Sequence, residues 1–260
     1  MDNTAILTAM EKNHTAHLAW LPSLAGAEVL EGTDLLLVDS GLPTDTFNKL
    51  AWKRPDPARP EEGARAAVER FQAKGFPFAW RLGPLSGVDR LEPVLERLGL
   101  RRTEEETGMA LVLDAIRLDE PRASGLDIRL ARNGAAMRDF AAVIAANWTP
   151  PDATVLRLYG LSAEAATLPD GPASFLVGYL DGLPVSVTEL FVTGAVAGIY
   201  NVSTLAAMRR KGFGTALMLA ALGLARSRGC RLAVLQAAPD GLGLYRRLGF
   251  ADVCGYEEYA

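Results

Sequence analysis

Cysteine and histidine are scarce in this chain, two of each among 260 residues. Cys230 and Cys254 build no disulfide framework, and with His14 and His17 they make no closed zinc site, so no metal is expected. The opening MDNTAILTAMEKNHTAH has neither the basic start nor the apolar run of a secretory signal, which points to a reduced, cytoplasmic protein. Excess positive charge is missing too: the formal net charge is −4. Long nucleic acid needs an extended basic face, so it is not an expected partner. One charge-free run, Leu190–Met208, has about the length of a membrane span. Its Thr193-Gly194, Gly198, Asn201, Ser203 and Thr204 read instead as two buried strands and a turn, so no membrane partner is expected either. What the chain has is apolar content, 49%, enough for the core of one large or two ordinary domains.

The charge is unevenly shared. Residues 1–120 carry 14 Lys and Arg against 20 Asp and Glu, and residues 121–260 carry 13 against 11. Five of the latter cations fall in two groups, Arg209-Arg210-Lys211 and Arg246-Arg247. A local basic spot on an acidic protein suits a small anionic ligand.

Pro, Gly and charges interrupt two apolar segments at Leu118–Asp127, which divides the chain into residues 1–120 and 121–260. Before the break Met109–Leu113 reads as a closing strand, and after it Asp127–Leu130 reads as an opening one. Asn133–Asn147 then has helical spacing at Met137, Phe140, Ala141 and Ile144. Trp148–Gly171, with Pro150-Pro151 and Pro169-Asp170-Gly171, reads as irregular and as a candidate cover over a substrate. Three strands follow, Ser174–Leu180, Val185–Val192 and Ala197–Thr204, joined at Asp181-Gly182 and Thr193-Gly194 as an antiparallel meander. Gly214–Arg228 is a helix, Arg231–Ala237 a buried strand, Leu242–Leu248 a short helix, and a last strand starts at Phe250. The order β-α-β-β-β-α-β-α-β predicts an α/β fold with a mixed sheet and helices on both sides. Pro60 opens an earlier helix with Ala64, Ala67, Val68 and Phe71 on one face. A strand at Phe76–Leu82 and a helix through Leu91, Val94, Leu95 and Leu98 follow. Gly63 to Gly99 thus echoes Gly212 to Gly249, and ERLGL at 96–100 echoes RRLGF at 246–250, which reads as a degenerate internal duplication.

The chemistry concentrates at Arg209–Leu217 (RRKGFGTAL). Two glycines let the backbone turn tightly against a ligand, and the N–H groups and dipole of the helix start attract an anion. Lys211 precedes the glycines, so this is no Walker loop, and Leu217 stands where a dinucleotide fingerprint needs its third Gly. Taken alone the segment also reads as a glycine-rich turn with solvated basic side chains.

Some 30 residues on comes Leu244-Tyr245-Arg246-Arg247-Leu248-Gly249-Phe250. Together, and in this order, RRKGFG and LYRRLGF resemble the two signatures of the GNAT N-acetyltransferase superfamily, with Arg209, Gly212 and Gly214 in the motif places. The resemblance covers about residues 127–260, and with the internal echo it implies two tandem copies of the acyl-coenzyme A N-acyltransferase fold. It implies acetyl-coenzyme A as co-substrate, lying where two strands splay. Its pyrophosphate would rest on Arg209, Arg210, Lys211, Gly212, Phe213, Gly214 and Thr215, and its pantetheine arm on the strand end Val202, Ser203 and Thr204. A primary amine of a small molecule or peptide would attack the thioester directly, and Tyr245 would protonate the departing thiolate. Tyr245 also reads as an amphipathic side chain packed on the sheet. Glu189 stands where family members often keep a carboxylate base, although an in-strand Glu also suits a solvated face. Many members carry Asn seven residues before the Tyr; here that residue is Ala238, which leaves Gln236 for the contact. In residues 1–120 the loop equivalent is Glu61-Glu62-Gly63-Ala64-Arg65 and Leu95 replaces the Tyr, so this half is expected to bind no coenzyme A and to cover the catalytic half or wall its acceptor pocket. A non-catalytic acyl-coenzyme A-binding module is the alternative function, and a homodimer is left open.

Overall fold

A computed structural model describes residues 2–52, 60–115 and 123–260. In chain order the elements are α1 (Asn3–Leu24), β1 (Glu28–Glu31), β2 (Leu35–Asp39), β3 (Lys49–Trp52), α2 (Pro60–Lys74), β4 (Ala79–Leu82), α3 (Val88–Arg97) and β5 (Arg102–Val112). They continue with β6 (Leu126–Leu130), α4 (Gly134–Ala145), α5 (Ala153–Ala166), β7 (Ala173–Leu180), β8 (Leu183–Thr193) and β9 (Val196–Thr204). The last are α6 (Phe213–Ser227), β10 (Leu232–Ala237), α7 (Leu242–Arg247) and β11 (Ala251–Tyr259). Two compact units divide the chain: Met1–Met109 with Gln236–Gly243 and Asp252–Ala260, and Ala110–Leu235 with Leu244–Ala251. The expected join at residues 120 and 121 lies outside the described residues.

In the N-terminal unit the strand order is β1-β2-β3-β4-β11-β5. β1, β2 and β3 form an antiparallel ladder, and β4 runs parallel to β3 from Lys49↔Ala79. The chain's last strand, β11, pairs antiparallel with β4, Glu258 opposite Arg81. One face of this sheet packs Leu50, Trp80, Leu82 and Tyr259 with Phe71 of α2 and Leu95 of α3. On the other face Leu36, Val38 and Ala51 meet Leu18 and Ala19 of α1. That face turns polar further along, where Glu258 accepts from Lys49 at 2.7 Å and Arg81 at 3.2 Å. β5 starts seven residues before the expected Met109, because its Arg102–Thr107 half is a charged strand rather than a loop.

The C-terminal unit carries the meander as read. β6, β7, β8 and β9 are antiparallel neighbours, and β10 runs parallel to β9. Asp181 and Gly182, at φ 51° and 81°, make the first turn. The second falls on Gly194-Ala195, one residue later than expected, because Thr193 itself pairs with Val196. Both units therefore build an antiparallel ladder, of three strands in the N-terminal unit and four in the C-terminal one, then a helix, then a strand parallel to the ladder's last member.

One expectation is corrected. Trp148–Gly171 is not irregular: α5 occupies Ala153–Ala166 within it. Asp152 caps its first turn, Oδ1 accepting from the backbone N–H of Thr154 at 2.7 Å, which satisfies a donor the helix leaves open. Val155, Leu158, Tyr159, Ser162, Ala163 and Ala166 are buried along one stripe, the spacing of a core-facing helix. Pro150 and Pro151 lie just before the cap and Pro169 lies beyond the helix end, where a helix tolerates them. Among the described residues no helix is long and apolar enough to cross a membrane.

Candidate active site

Glu189 sits in the middle of β8 and is fully buried, which removes the solvated-face reading. Its cross-strand neighbours are Phe175 on β7 and Tyr200 on β9, so the three side chains share a face of the sheet. Phe140 of α4 lies 5.1 Å from Phe175 and 5.5 Å from Tyr159 of α5, ring to ring. A carboxylate there needs polar partners, since an unpaired charge in an apolar layer is costly. Asn201 supplies one: its Nδ2 donates to Glu189 Oε2 at 2.7 Å and to Tyr159 Oη at 3.1 Å.

A bulge makes that contact possible. Val187 pairs with Ser203 and Glu189 with Tyr200, so β9 has one more residue than β8 between the two pairs. Asn201 takes up the extra length at φ 52°, a left-handed conformation that Asn tolerates better than most residues. Strand alternation alone would send its side chain away from the face of Tyr200; the bulge returns it to Glu189. Burial, then the Glu189 charge, holds the Tyr159 hydroxyl well above the usual tyrosine range, so it stays protonated.

Beyond the bulge β9 leads to the basic loop. Its pairing with β10 runs from Leu232↔Val196 to Val234↔Gly198, while β9 goes on to Thr204. The two strands thus part where a ligand's arm could pair with backbone. Ser186 Oγ lies 2.7 Å from Thr204 Oγ1, and Asn147 Nδ2 donates to Ser203 Oγ at 2.9 Å. A turn at Ala206–Met208 precedes Arg209, Arg210 takes φ 63°, and Gly212 takes φ 82° at the N-cap of α6. Gly212 has no side chain to cap the helix, and the first intrahelical bond is Ala216 N to Gly212 O at 3.0 Å. The N–H groups of Phe213, Gly214 and Thr215 precede it and are open to an anion. Arg209, Arg210 and Lys211 are exposed around them. A Cβ on Gly214 would lie 3.7 Å from Leu244 Cδ2 and 3.9 Å from Thr204 Oγ1, so α7 and the end of β9 meet at this helix start.

Tyr245 follows Leu244 on α7, is buried, and lies 6.1 Å from the Phe250 ring. Gln236 is half-buried on β10, and its Nε2 is enclosed without a hydrogen-bond partner. Ala238 heads the turn at Pro239–Gly241, its carbonyl accepting from Gly241 N at 2.9 Å. Neither cysteine is primed as a nucleophile: burial raises the Cys230 thiol and pushes Cys254 up to about 12. Among the described residues no group of His, Cys, Asp and Glu could hold a metal. In the N-terminal unit the equivalent helix, α2, begins with a carboxylate, not an open anion site. Arg97 and Arg65 bond Glu61 at 2.9 and 2.8 Å and hold its carboxyl below the usual range.

The structure therefore brings Glu189 to Asn201 and Tyr159, and Thr204 to Gly214 and Arg209. Sequence reading missed Asn201, Tyr159, Asn147 and Ser186. The spacing of 155–166 could have revealed Tyr159, and a turn-prone Asn inside an apolar strand could have marked the bulge.

Residues 139–250 match the family described as acetyltransferase (GNAT) family. No curated protein matches the chain by sequence. Solved structures do match. A GCN5-related N-acetyltransferase from Kribbella flavida gives a TM-score of 0.68 at 17% identity, covering 93% of this chain and 95% of that one. Another, from Sphaerobacter thermophilus, gives 0.61 at 19% identity over 88% and 81%. A tandem GNAT protein from the clavulanic acid biosynthesis pathway gives 0.59 at 18% identity over 86% and 77%. Identities this low establish a shared fold and nothing finer. The chain thus folds as these N-acetyltransferases do, and its residues 139–250 match the acetyltransferase (GNAT) family.

Proposed function

We propose that this protein transfers the acetyl group of acetyl-coenzyme A directly to a primary amine of a small molecule or peptide. The observation that carries the reading is the course of β9. It passes the Glu189 cluster at Asn201, runs free of β10 through Val202, Ser203 and Thr204, and delivers the chain to the basic loop. At about 3.3 Å per residue that stretch is roughly 10 Å long, enough for an extended arm to link a reacting centre to an anion site.

The residues present fit coenzyme A. Three open N–H groups, two left-handed loop residues, Arg209, Arg210 and Lys211 make a cradle for a pyrophosphate, and residues 205–217 include no carboxylate. When bound, the thioester supplies an activated acetyl carbon. Glu189 takes the proton of the attacking amine through water, and backbone N–H groups of β9 stabilise the developing oxyanion. As the C–N bond forms and the C–S bond breaks, Tyr245 Oη gives its proton to the departing sulfur. By contrast the N-terminal unit, with Glu61 and Glu62 at the start of α2, binds no coenzyme A.

Mixing the protein with acetyl-coenzyme A and a panel of amines tests the reading. Free thiol should appear with at least one primary amine, and calorimetry should register coenzyme A binding. Binding without turnover would favour the second reading that Ala238 supports, a non-catalytic acyl-coenzyme A-binding module. No binding would overturn both.

A further inference from the structure

Asn201 has a fixed orientation, set by its neighbours. A primary amide nitrogen carries two hydrogens. In Asn201 one goes to Glu189 Oε2 at 2.7 Å and the other to Tyr159 Oη at 3.1 Å. Turning the amide over would set its oxygen against the Glu189 carboxylate, acceptor against acceptor. The amide is therefore locked with Oδ1 as its remaining polar atom. Glu189 and Tyr159 are both buried, while Asn201 is only half-buried, so Asn201 is the member of the cluster that a ligand can reach. Its left-handed conformation at the bulge is what brings it there.

We propose that Asn201 is a specificity-determining residue, whose Oδ1 accepts a hydrogen bond from the amine of the acetyl acceptor. The inference rests on the acyl-transfer reading above. A neutral primary amine has two N–H groups and a lone pair. One N–H meets Asn201 Oδ1, the other faces the water through which Glu189 takes a proton, and the lone pair attacks. An N-methylated amine has one N–H and leaves one of these contacts unmade. Tyr159 is a positioning residue in this scheme: it holds the second amide hydrogen and so fixes where Oδ1 points. An alcohol, with a single O–H, fails for the same reason as the N-methylated amine.

The test uses benzylamine, 1,4-diaminobutane and a lysine-bearing peptide, each beside its N-methyl counterpart, with coenzyme A binding titrated separately. Asn201→Gly removes the side chain yet accepts the left-handed backbone, and Tyr159→Phe removes only a hydroxyl. The wild type should prefer primary over N-methyl amines by about tenfold in kcat/KM, since a desolvated hydrogen-bonding group left without its partner is costly. Asn201→Gly should raise the amine KM about tenfold and narrow that preference to under about threefold. Its KM for acetyl-coenzyme A and its affinity for coenzyme A should stay within about twofold. Tyr159→Phe should shift the same quantities the same way by less. An Asn201→Gly enzyme with unchanged amine KM and preference overturns the inference, as does one that loses coenzyme A and amine binding together. A wild type that binds coenzyme A but acetylates no amine, or accepts N-methyl amines equally, overturns it too and leaves coenzyme A binding standing. Failure to bind coenzyme A at all overturns the acyl-transfer reading itself.

Discussion

Arg209 donates its Nε–H to the carbonyl oxygen of Thr204 at 3.1 Å, which ties the first cation of the basic loop to the last residue of β9. A guanidinium has five N–H donors, so the remaining four are available to a phosphate while the side chain stays anchored. Arg209→Ala should weaken coenzyme A binding about tenfold by calorimetry, in keeping with a charge-assisted hydrogen bond of about 1.5–3 kcal/mol partly screened at an exposed site. It should also flatten the dependence of affinity on salt. Arg209→Lys should restore only part of the loss, because an ammonium does not reach the carbonyl and a phosphate in one rigid fork. A change below twofold in the alanine variant would detach Arg209 from the pyrophosphate.

Two glycines of the loop should behave differently when replaced by alanine. Gly212 sits at φ 82° and a Cβ there would meet nothing within 4 Å. Its cost is therefore backbone strain, about 1–2 kcal/mol, read as a melting temperature lower by a few degrees together with weaker coenzyme A binding. Gly214 has ordinary helical backbone, and its Cβ would fill the gap between Thr204 and Leu244. Gly214→Ala should leave the melting temperature unchanged and still weaken coenzyme A, by crowding the place where an arm passes from β9 to the loop. Equal effects in the two variants would deny that gap to the ligand.

Tyr245→Phe keeps the ring against Phe250 and removes the hydroxyl. As the proton donor to sulfur, Tyr245 should be worth at least about tenfold in kcat, with coenzyme A affinity within twofold of wild type. Full activity in this variant would leave Tyr245 as a packing residue and send the search for the acid elsewhere.

Much of the C-terminal unit was legible because its buried faces are apolar. Of the stripe that helical spacing predicts for α6, Phe213, Ala216, Leu217 and Ala221 are buried while Ala220 and Leu224 are half-buried, and the turn at Asp181-Gly182 appears as it reads in the sequence. α5 was hidden by its flanks: prolines at both ends drew attention from a regular stripe between them. Asn201 was hidden for a different reason, since a bulge is a property of two paired strands and one strand's sequence does not state the register. Glu189 could be nominated from its strand, but its burial and its bond to Asn201 depend on that same register. The partner of β11 was also out of reach, because pairing with β4 is decided across a separation of 177 residues between Arg81 and Glu258. In the N-terminal unit the hydropathy pattern does not mark α1, because its buried residues mix apolar Met10 and Leu21 with polar Asn13 and His14. Hydropathy periodicity finds helices that hide carbon, and this one also hides polar side chains.

That polar layer makes a prediction about pH. Glu11 and His14 lie one helical turn apart on α1, with His14 edge-on to Tyr256 at 5.3 Å and Arg81 acting on both. Burial pushes the Glu11 carboxyl up to about 7 against the pull of the Tyr256 hydroxyl and Arg81. Burial, with the positive charges of Arg81, His17 and Lys49, drives the His14 imidazole well below its usual range. As pH falls from about 7 to about 4.5 the folded state takes a proton on Glu11 that the unfolded chain takes only later, so this group adds stability on acidification. His14 does the reverse: below about 6.5 the unfolded chain protonates it first, and stability is lost. Between about pH 4.5 and 6.5 the two slopes oppose, each up to about 1.4 kcal/mol per pH unit. Glu11→Gln should therefore leave a protein whose urea midpoint falls as pH drops from 6.5 to 5, where the wild type is nearly level. His14→Gln should give the opposite tilt, with the midpoint rising over the same interval. Parallel curves for the two variants would mean that neither side chain changes its protonation between the folded and unfolded chain.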